Sequence, residues 1–411
     1  MTELFLGYKI GYEIVEMGVH NMKKNTALII LAFLMMATFG FITNIKGVVL
    51  PSIKDYFSVT YGQIGLMLFL ASLGFTFGTF LGGLAGDKYG QKKVLLVGFL
   101  LLGLGMGLMP LAESFYFLVI IMFLNNIGMG TIEIGVNSLG AKIFLKNTAV
   151  MMNLLHLFYG VGATIGPKYT GLMLANNFKW QNTYFYTLAL VAVIFIYLLF
   201  SNFPEQKNTD KNIKIPIKVM ARDSKIWLFA AVLGFAVVLE LGIGNWLVNF
   251  LQEVRHLDEN SSSFYLSFFF ITFTIGRLVG GYLAEKMGYV KIILYFSIAS
   301  ILLFLTGLII EGWGIILFSL IGFFASIMYP TMMVIIMKEY KENTSGAMGF
   351  IVTTAILINM IFNWLIGKST DFFGVFYGFS SILIYTTLII FFLLLLEKKL
   401  TYLQDTQNEL S

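Results

Sequence analysis

Gly83-Leu84-Ala85-Gly86-Asp87-Lys88-Tyr89-Gly90-Gln91-Lys92-Lys93 lies between two long apolar runs, and Gly281-Tyr282-Leu283-Ala284-Glu285-Lys286-Met287-Gly288 lies between two more. The two copies share a glycine, an acid, a lysine and a second glycine at identical spacing, 198 residues apart in a chain of 411. Two copies in register, flanking equal sets of apolar runs, mark an internal duplication. In each copy the first glycine is expected to let two helices approach closely, and the acid to accept from a neighbouring helix N-terminus. The last glycine permits a tight turn. Gly83, Asp87, Lys88 and Gly90, with Glu285, Lys286 and Gly288, are therefore read as a conformational latch.

The surroundings of these loops fix the class of protein. Of all residues 58% are hydrophobic and only 12% charged, about half the charge of an ordinary soluble domain. The apolar runs are long and unbroken, unlike the ~10-residue alternating strands of a membrane barrel. Against a ~20-residue threshold they give twelve spans, near 25–51, 60–84, 92–112, 115–139, 148–175, 182–203, 226–251, 262–284, 291–310, 313–336, 345–367 and 374–396. The fold class is an all-α membrane protein of twelve transmembrane helices. The chain has no cysteine and three scattered histidines, His20, His156 and His256, which exclude disulfides and thiolate metal sites and suggest no metal. No cofactor and no nucleic acid partner are expected, and no enzymatic constellation is visible: no nucleophile elbow, no phosphate-binding glycine loop, no metal-ligand spacing.

With the amino terminus in the cytoplasm, 20 of the 27 Lys and Arg fall in internal loops and tails, while Lys54, Lys179, Arg255 and Lys368 fall outside. The positive-inside asymmetry places both termini in the cytoplasm of a multi-pass protein of the cell membrane. One long polar connection, residues 204–225, carries six Lys and Arg and separates six spans from six. It reads as a cytoplasmic linker, either a short amphipathic helix on the membrane face or a flexible tether. The organisation is thus a segment 1–24, a six-helix bundle 25–203, the linker 204–225, a second bundle 226–396 and a tail 397–411. Residues 1–24 have the spacing of an interfacial helix, although Met22-Lys23-Lys24 also looks like a natural beginning.

Within the spans the ionisable residues are few: Glu133 and Glu240, alongside Lys46, His156, Lys168 and Arg277. A charge near the bilayer centre costs ~3 kcal/mol or more unless it faces a cavity or a partner, so each is a candidate functional group. Glu133 and Glu240 are candidates for proton coupling. Lys46 and Lys168, near the outer ends of spans one and five, are placed to snorkel outward, and Arg277 reads as a structural anchor. Nearby side chains suit a hydroxyl-rich ligand, which wants planar donors and acceptors with an aromatic plate. Asn137 is one turn from Glu133, and Asn245 and Trp246 follow Glu240. Asn359 and Asn363 repeat the theme in span eleven. With His156, these make up the candidate substrate site.

The duplicated loop resembles the signature of the major facilitator superfamily, over essentially the whole chain, with Gln91 where a basic residue is usual. The resemblance implies two pseudo-symmetric six-helix bundles with a substrate site between them at mid-membrane. Gly128 to Asn137, Asn153 to Ala163, Gly166-Pro167, Glu240 to Trp246 and Gly276-Arg277 resemble the fucose, glucose and galactose symporter branch. That implies a monomeric carrier taking up a monosaccharide with protons, or with sodium, by alternating access. Some members of the branch carry an acid in helix one, where this chain has Lys46-Gly47, which moves the coupling burden to Glu133 or Glu240. The alternative is a proton-coupled efflux antiporter, since Gly162-Ala163-Thr164-Ile165-Gly166-Pro167-Lys168-Tyr169-Thr170-Gly171 resembles the helix-five motif of drug exporters.

Overall fold

The computed structural model describes the backbone of residues 2–144, 148–203, 222–340 and 344–409 and the side chains of residues 26–144, 151–203, 222–340 and 346–400. The linker up to residue 221 and the side chains before residue 26 lie outside it. The helices are α1 (Thr2–Phe57), α2 (Tyr61–Tyr89), α3 (Gln91–Leu108), α4 (Phe115–Ile143), α5 (Thr148–Ala175), α6 (Trp180–Phe200), α7 (Ser224–Glu253), α8 (Glu259–Met287), α9 (Tyr289–Ile309), α10 (Ile316–Ala325), α11 (Met328–Glu339), α12 (Thr344–Phe373) and α13 (Val375–Glu409). Helix α13 carries the chain on through most of the expected tail. Among the described residues there is no strand.

Eleven segments are long and apolar enough to cross a bilayer, counting α10 and α11 as one. Helix α5 is of spanning length as well, with Asn153, His156 and Lys168 set among its apolar residues. Polar residues in a spanning helix are tolerated where it faces protein or a cavity. The tenth span is broken at Ser326-Ile327. Pro330 has no N–H to offer the carbonyl four residues back and its ring crowds that carbonyl, so the helix restarts with Thr331 donating to the Ile327 carbonyl at 3.0 Å.

Starts of helices are set by short polar residues. Thr60, Ser114, Asp223 and Asp258 are the N-caps of α2, α4, α7 and α8, and each accepts from a backbone N–H of the first turn. The duplication is visible in the backbone. Gly90 and Gly288 join α2 to α3 and α8 to α9 with φ of 91° and 88°, a region open to glycine and strained for other residues. Each donates its N–H to the residue four back, Gly86 or Ala284. Helix pairing repeats as well: α1 packs on α5 and α2 on α4, as α7 packs on α12 and α8 on α10.

Within the first half the backbones meet at glycine. A side chain at Gly162 would strike Ala37 and Phe41 of α1, one at Gly166 would strike Phe41, and one at Gly40 would strike Tyr159. Gly74, Gly78 and Gly130 bring α2 onto α4 in the same way. The stretch from Gly162 to Gly171 is thus a packing surface. At the duplicated loops the close approach expected of Gly83 and Gly281 falls on other residues. A Cβ at Gly83 would meet only Ile134 at 3.8 Å, and one at Gly281 would meet nothing within 4 Å. Gly82 meets Ile134 and Thr131, and Gly280 meets Ile327. One residue is a rotation of about 100° on a helix, which turns Gly83 and Gly281 away from the contact.

Candidate functional site

The two halves meet through α2 with α12, α5 with α8 and α1 with α7. Since α6 ends and α7 begins at the face bearing the linker, each long helix can be followed from that face to the opposite one. Contacts between halves concentrate toward the opposite face. Gly47 backs onto the Gly244 carbonyl, Gly65 onto Trp364 and Gly171 onto Ser263. Lys168 Nζ donates to Asn260 Oδ1 at 2.6 Å, so Lys168 bridges α5 to α8. Lys54 lies 3.7 Å from Glu253, and the Tyr61 hydroxyl donates to Glu253. Asp371 at the end of α12 accepts from the N–H of Tyr61 at 2.7 Å and of Gly62 at 2.8 Å. Toward the linker face, Gly160 meets Thr274 near the midpoint of α5 and α8. Beyond it Asn153 is exposed, and α4 and α11 share no extensive packing. Among the described residues the halves are closed at the opposite face and parted at the linker face.

At the head of this opening stand the candidate carboxylates. Glu133 on α4 and Glu240 on α7 are half-buried rather than enclosed. Arg277 on α8 is also half-buried, its guanidinium 4.6 Å from the Phe273 ring centroid, a cation–π contact that supports the charge without neutralising it. Arg277 lies within electrostatic range of Glu133 and Glu240, and of His156 and Tyr159 of α5 and Tyr329 of α11. None of the three charged groups has an opposite charge within 4.0 Å among the described residues, and Arg277 Nε has no hydrogen-bond partner. One cation therefore stands within electrostatic range of two acids from different halves without an ion pair to either. Glu133, Arg277 and Tyr329 each stand ten residues from the linker-side end of their helices, a depth of about 15 Å.

Other sequence-predicted residues divide into two groups. Asn137 is half-buried one turn from Glu133 on α4, and its Oδ1 has no hydrogen-bond partner. His156 belongs with it, on the α5 wall. By contrast Asn245, Trp246, Asn359 and Asn363 are only 2–4% exposed. Asn245 Nδ2 donates to Asn363 Oδ1 at 3.2 Å, and Asn363 Nδ2 donates to Asn359 Oδ1 at 2.6 Å. These amides form a ladder across α7 and α12, away from the opening. Trp246 lies under the closed face, its ring 6.3 Å from Tyr61, with an indole N–H that finds no acceptor. Lys46 is half-buried, with no carboxylate within 4.0 Å among the described residues. The residues of the duplicated loops flank the parted face. Lys88 Nζ lies 5.1 Å from the Tyr89 ring centroid, and Glu285 accepts from the Tyr289 hydroxyl at 2.5 Å.

Sequence reasoning passed over several groups that the fold brings together. Tyr159 sits one turn beyond His156 and Tyr329 adjoins the proline of the broken span, yet neither carries a charge to flag it. Asn44 of α1 donates to the Gly40 carbonyl at 2.8 Å, and Gly40 backs onto Tyr159. Arg277, taken as an anchor, is the cation at the centre.

Comparison with known proteins agrees with this geometry. The profile of the Major Facilitator Superfamily matches residues 29–363. A putative glucose/galactose transporter of Helicobacter pylori is 26% identical over 364 residues, 81% of this chain and 86% of its own. A bacterial homologue of the lysosomal transporter Spinster, solved inward-facing and unoccupied, superposes with a TM-score of 0.78 at 12% identity, covering 93% of this chain and 98% of that one. The E. coli fucose:proton symporter FucP superposes at 0.62 with 19% identity, covering 91% and 99%. In its outward conformation FucP gives 0.59, covering 90% and 98%. With the duplicated loop, the paired bundles and the matched profile in agreement, the chain belongs to the major facilitator superfamily.

Proposed function

We propose that this transporter carries a monosaccharide across the cell membrane by alternating access, coupled to a cation, most simply the proton. The observation that carries the proposal is the arrangement of Glu133 and Glu240, one from each half, around a single unlocked Arg277. The excess of Lys and Arg on the linker side assigns that side to the cytoplasm, so the halves stand open inward.

In chemical terms an ionised carboxylate is drawn to Arg277, whereas a protonated one is released to accept from or donate to a sugar hydroxyl. Protonation thus changes both the charge between the halves and the hydrogen bonds open to cargo, which is what links proton and sugar movement. The walls support this use. Asn137 offers an unpartnered acceptor, His156 and Tyr159 offer polar edges, and aromatic rings provide flat faces for C–H groups. Trp246 with the Asn245, Asn363 and Asn359 ladder would form the part of the site reached when the opposite face opens. The relatives named for glucose, galactose and fucose favour the same cargo class. The efflux reading rested on the helix-five glycines, which packing against α1 and α8 accounts for.

The test uses purified protein in liposomes with labelled glucose, galactose and fucose. Wild type should accumulate one of these against its gradient when a proton gradient is imposed. Glu133→Gln and Glu240→Gln should lose that accumulation by at least about tenfold, the scale of a 1.4 kcal/mol coupling, and should retain exchange of sugar for sugar. Accumulation by both variants with unchanged proton movement would remove the coupling assignment. Absence of any sugar exchange in wild type would remove the cargo.

A further inference from the structure

An α-helix begins with backbone N–H groups that have no partner within the helix. In α2 two of these are satisfied locally. Thr60 accepts from the Gln63 N–H at 3.3 Å, while the Gln63 side chain accepts from the Thr60 N–H at 2.9 Å. The N–H groups of Tyr61 and Gly62 remain, and both are taken by the two oxygens of Asp371 from the other half of the molecule, at 2.7 and 2.8 Å. The fit depends on residue 62 being glycine. A Cβ there would lie 2.6 Å from Asp371 Oδ2 and 2.9 Å from Lys368 Cδ. Helix α2 is fully capped only while the halves touch at this face, and the carboxylate also meets the positive end of the helix dipole.

Helices α2 and α12 run antiparallel, and each ends in an acid. Asp371 lies two residues before the end of α12 and caps the start of α2. Asp87 lies two residues before the end of α2, at the linker face where α12 starts. We infer that Asp371 is the counterpart of the Asp87 latch: it holds the face away from the linker closed, so that the α2–α12 pair carries one latch at each end and rocking exchanges one for the other. The inference rests on the alternating-access reading. Lys54 and Tyr61, both bonded around Glu253, close the same face beside it.

The native chain has no cysteine, so pairs of introduced cysteines can carry spin labels on the full protein. One pair, at Glu113 and Trp313, reads the face away from the linker; the other, at Lys93 and Lys291, reads the linker face. Asp371→Asn keeps the shape and one acceptor but loses the charge. It should lengthen the first distance and shorten the second, lowering the ratio of inward-open to outward-open molecules by about tenfold. Asp87→Asn should move both distances the other way, and the double variant should return toward the wild-type ratio. Thr60→Ala removes the cap within α2 and leaves the contact between halves. It should lower thermal stability without moving either distance, which separates a latch from a merely structural cap. The inference is overturned if Asp371→Asn leaves the distributions unchanged or shifts them in the same sense as Asp87→Asn. If no variant moves either distance, the alternating-access reading falls with it. Because no sugar or proton gradient is present, the outcome does not depend on the cargo assignment.

Discussion

Asp258 shows how much a single exposed side chain does at the rim of this protein. It begins α8, accepting from the Ser261 hydroxyl at 2.7 Å and from its N–H at 2.9 Å. The Ser261 hydroxyl, and then its N–H, hold the Asp258 carboxyl below the usual carboxylate range. A group whose pKa is lowered on folding stabilises the fold above its unfolded value, and that contribution is lost as pH falls through the folded value. Asp258→Ala should lower the melting temperature by about 1–2 °C near neutral pH. The gap between variant and wild type should close only below about pH 4; a gap that instead widened on acidification would contradict the assignment. Residues of this kind are legible in sequence, as are Glu133 and Glu240, because an acid inside an apolar run is conspicuous. The position of Arg277 between Glu133 and Glu240 was not legible. Whether an arginine is an anchor or a shared counter-charge depends on how the two halves are rotated against each other, which no local pattern encodes. Asp371, Tyr61 and Glu253 escaped notice for a different reason: polar residues at span ends are what any membrane helix shows.

At the scale of elements, the apolar runs foretold nearly every helix, including α5, whose polar residues are explained by the opening it lines. The break in the tenth span was written in Pro330 but was masked by the continuous hydrophobicity around it. The glycines were the harder case. Neighbouring Gly82 and Gly83, or Gly280 and Gly281, are indistinguishable in a motif, yet only one of each pair faces a helix closely. Gly280→Ala should cost about 1–3 kcal/mol of overpacking, seen as a lower melting temperature in detergent. Gly281→Ala, which meets open space, should leave it unchanged. The reverse ranking would mean that α8 is rotated from the orientation described.

For the whole molecule the telling fact is the asymmetry between its two faces. Cysteine placed at Asn153, exposed beyond the Gly160–Thr274 contact, should react with an impermeant maleimide added from the linker side. Cysteine at Ser263, packed against Gly171, should react with the same reagent added from the opposite side slower by on the order of tenfold or more, since it must wait for the minor conformer. Equal rates at the two positions would show that the closed face is not closed. The sequence disclosed two halves through its duplicated loops. It did not disclose which face is shut, because both arrangements use the same residues and differ only in which contacts are made.

The interruption at Ser326-Ile327 separates a ten-residue helix packed against α8 from a twelve-residue one that bears Tyr329. With one rung of the hydrogen-bond ladder missing, the lower piece can swing as a door leaf on an elbow while the upper piece stays clamped to its neighbour. On the alternating-access reading proposed above, closure of the linker face would then begin with this short segment, before an entire half of the protein has to tilt.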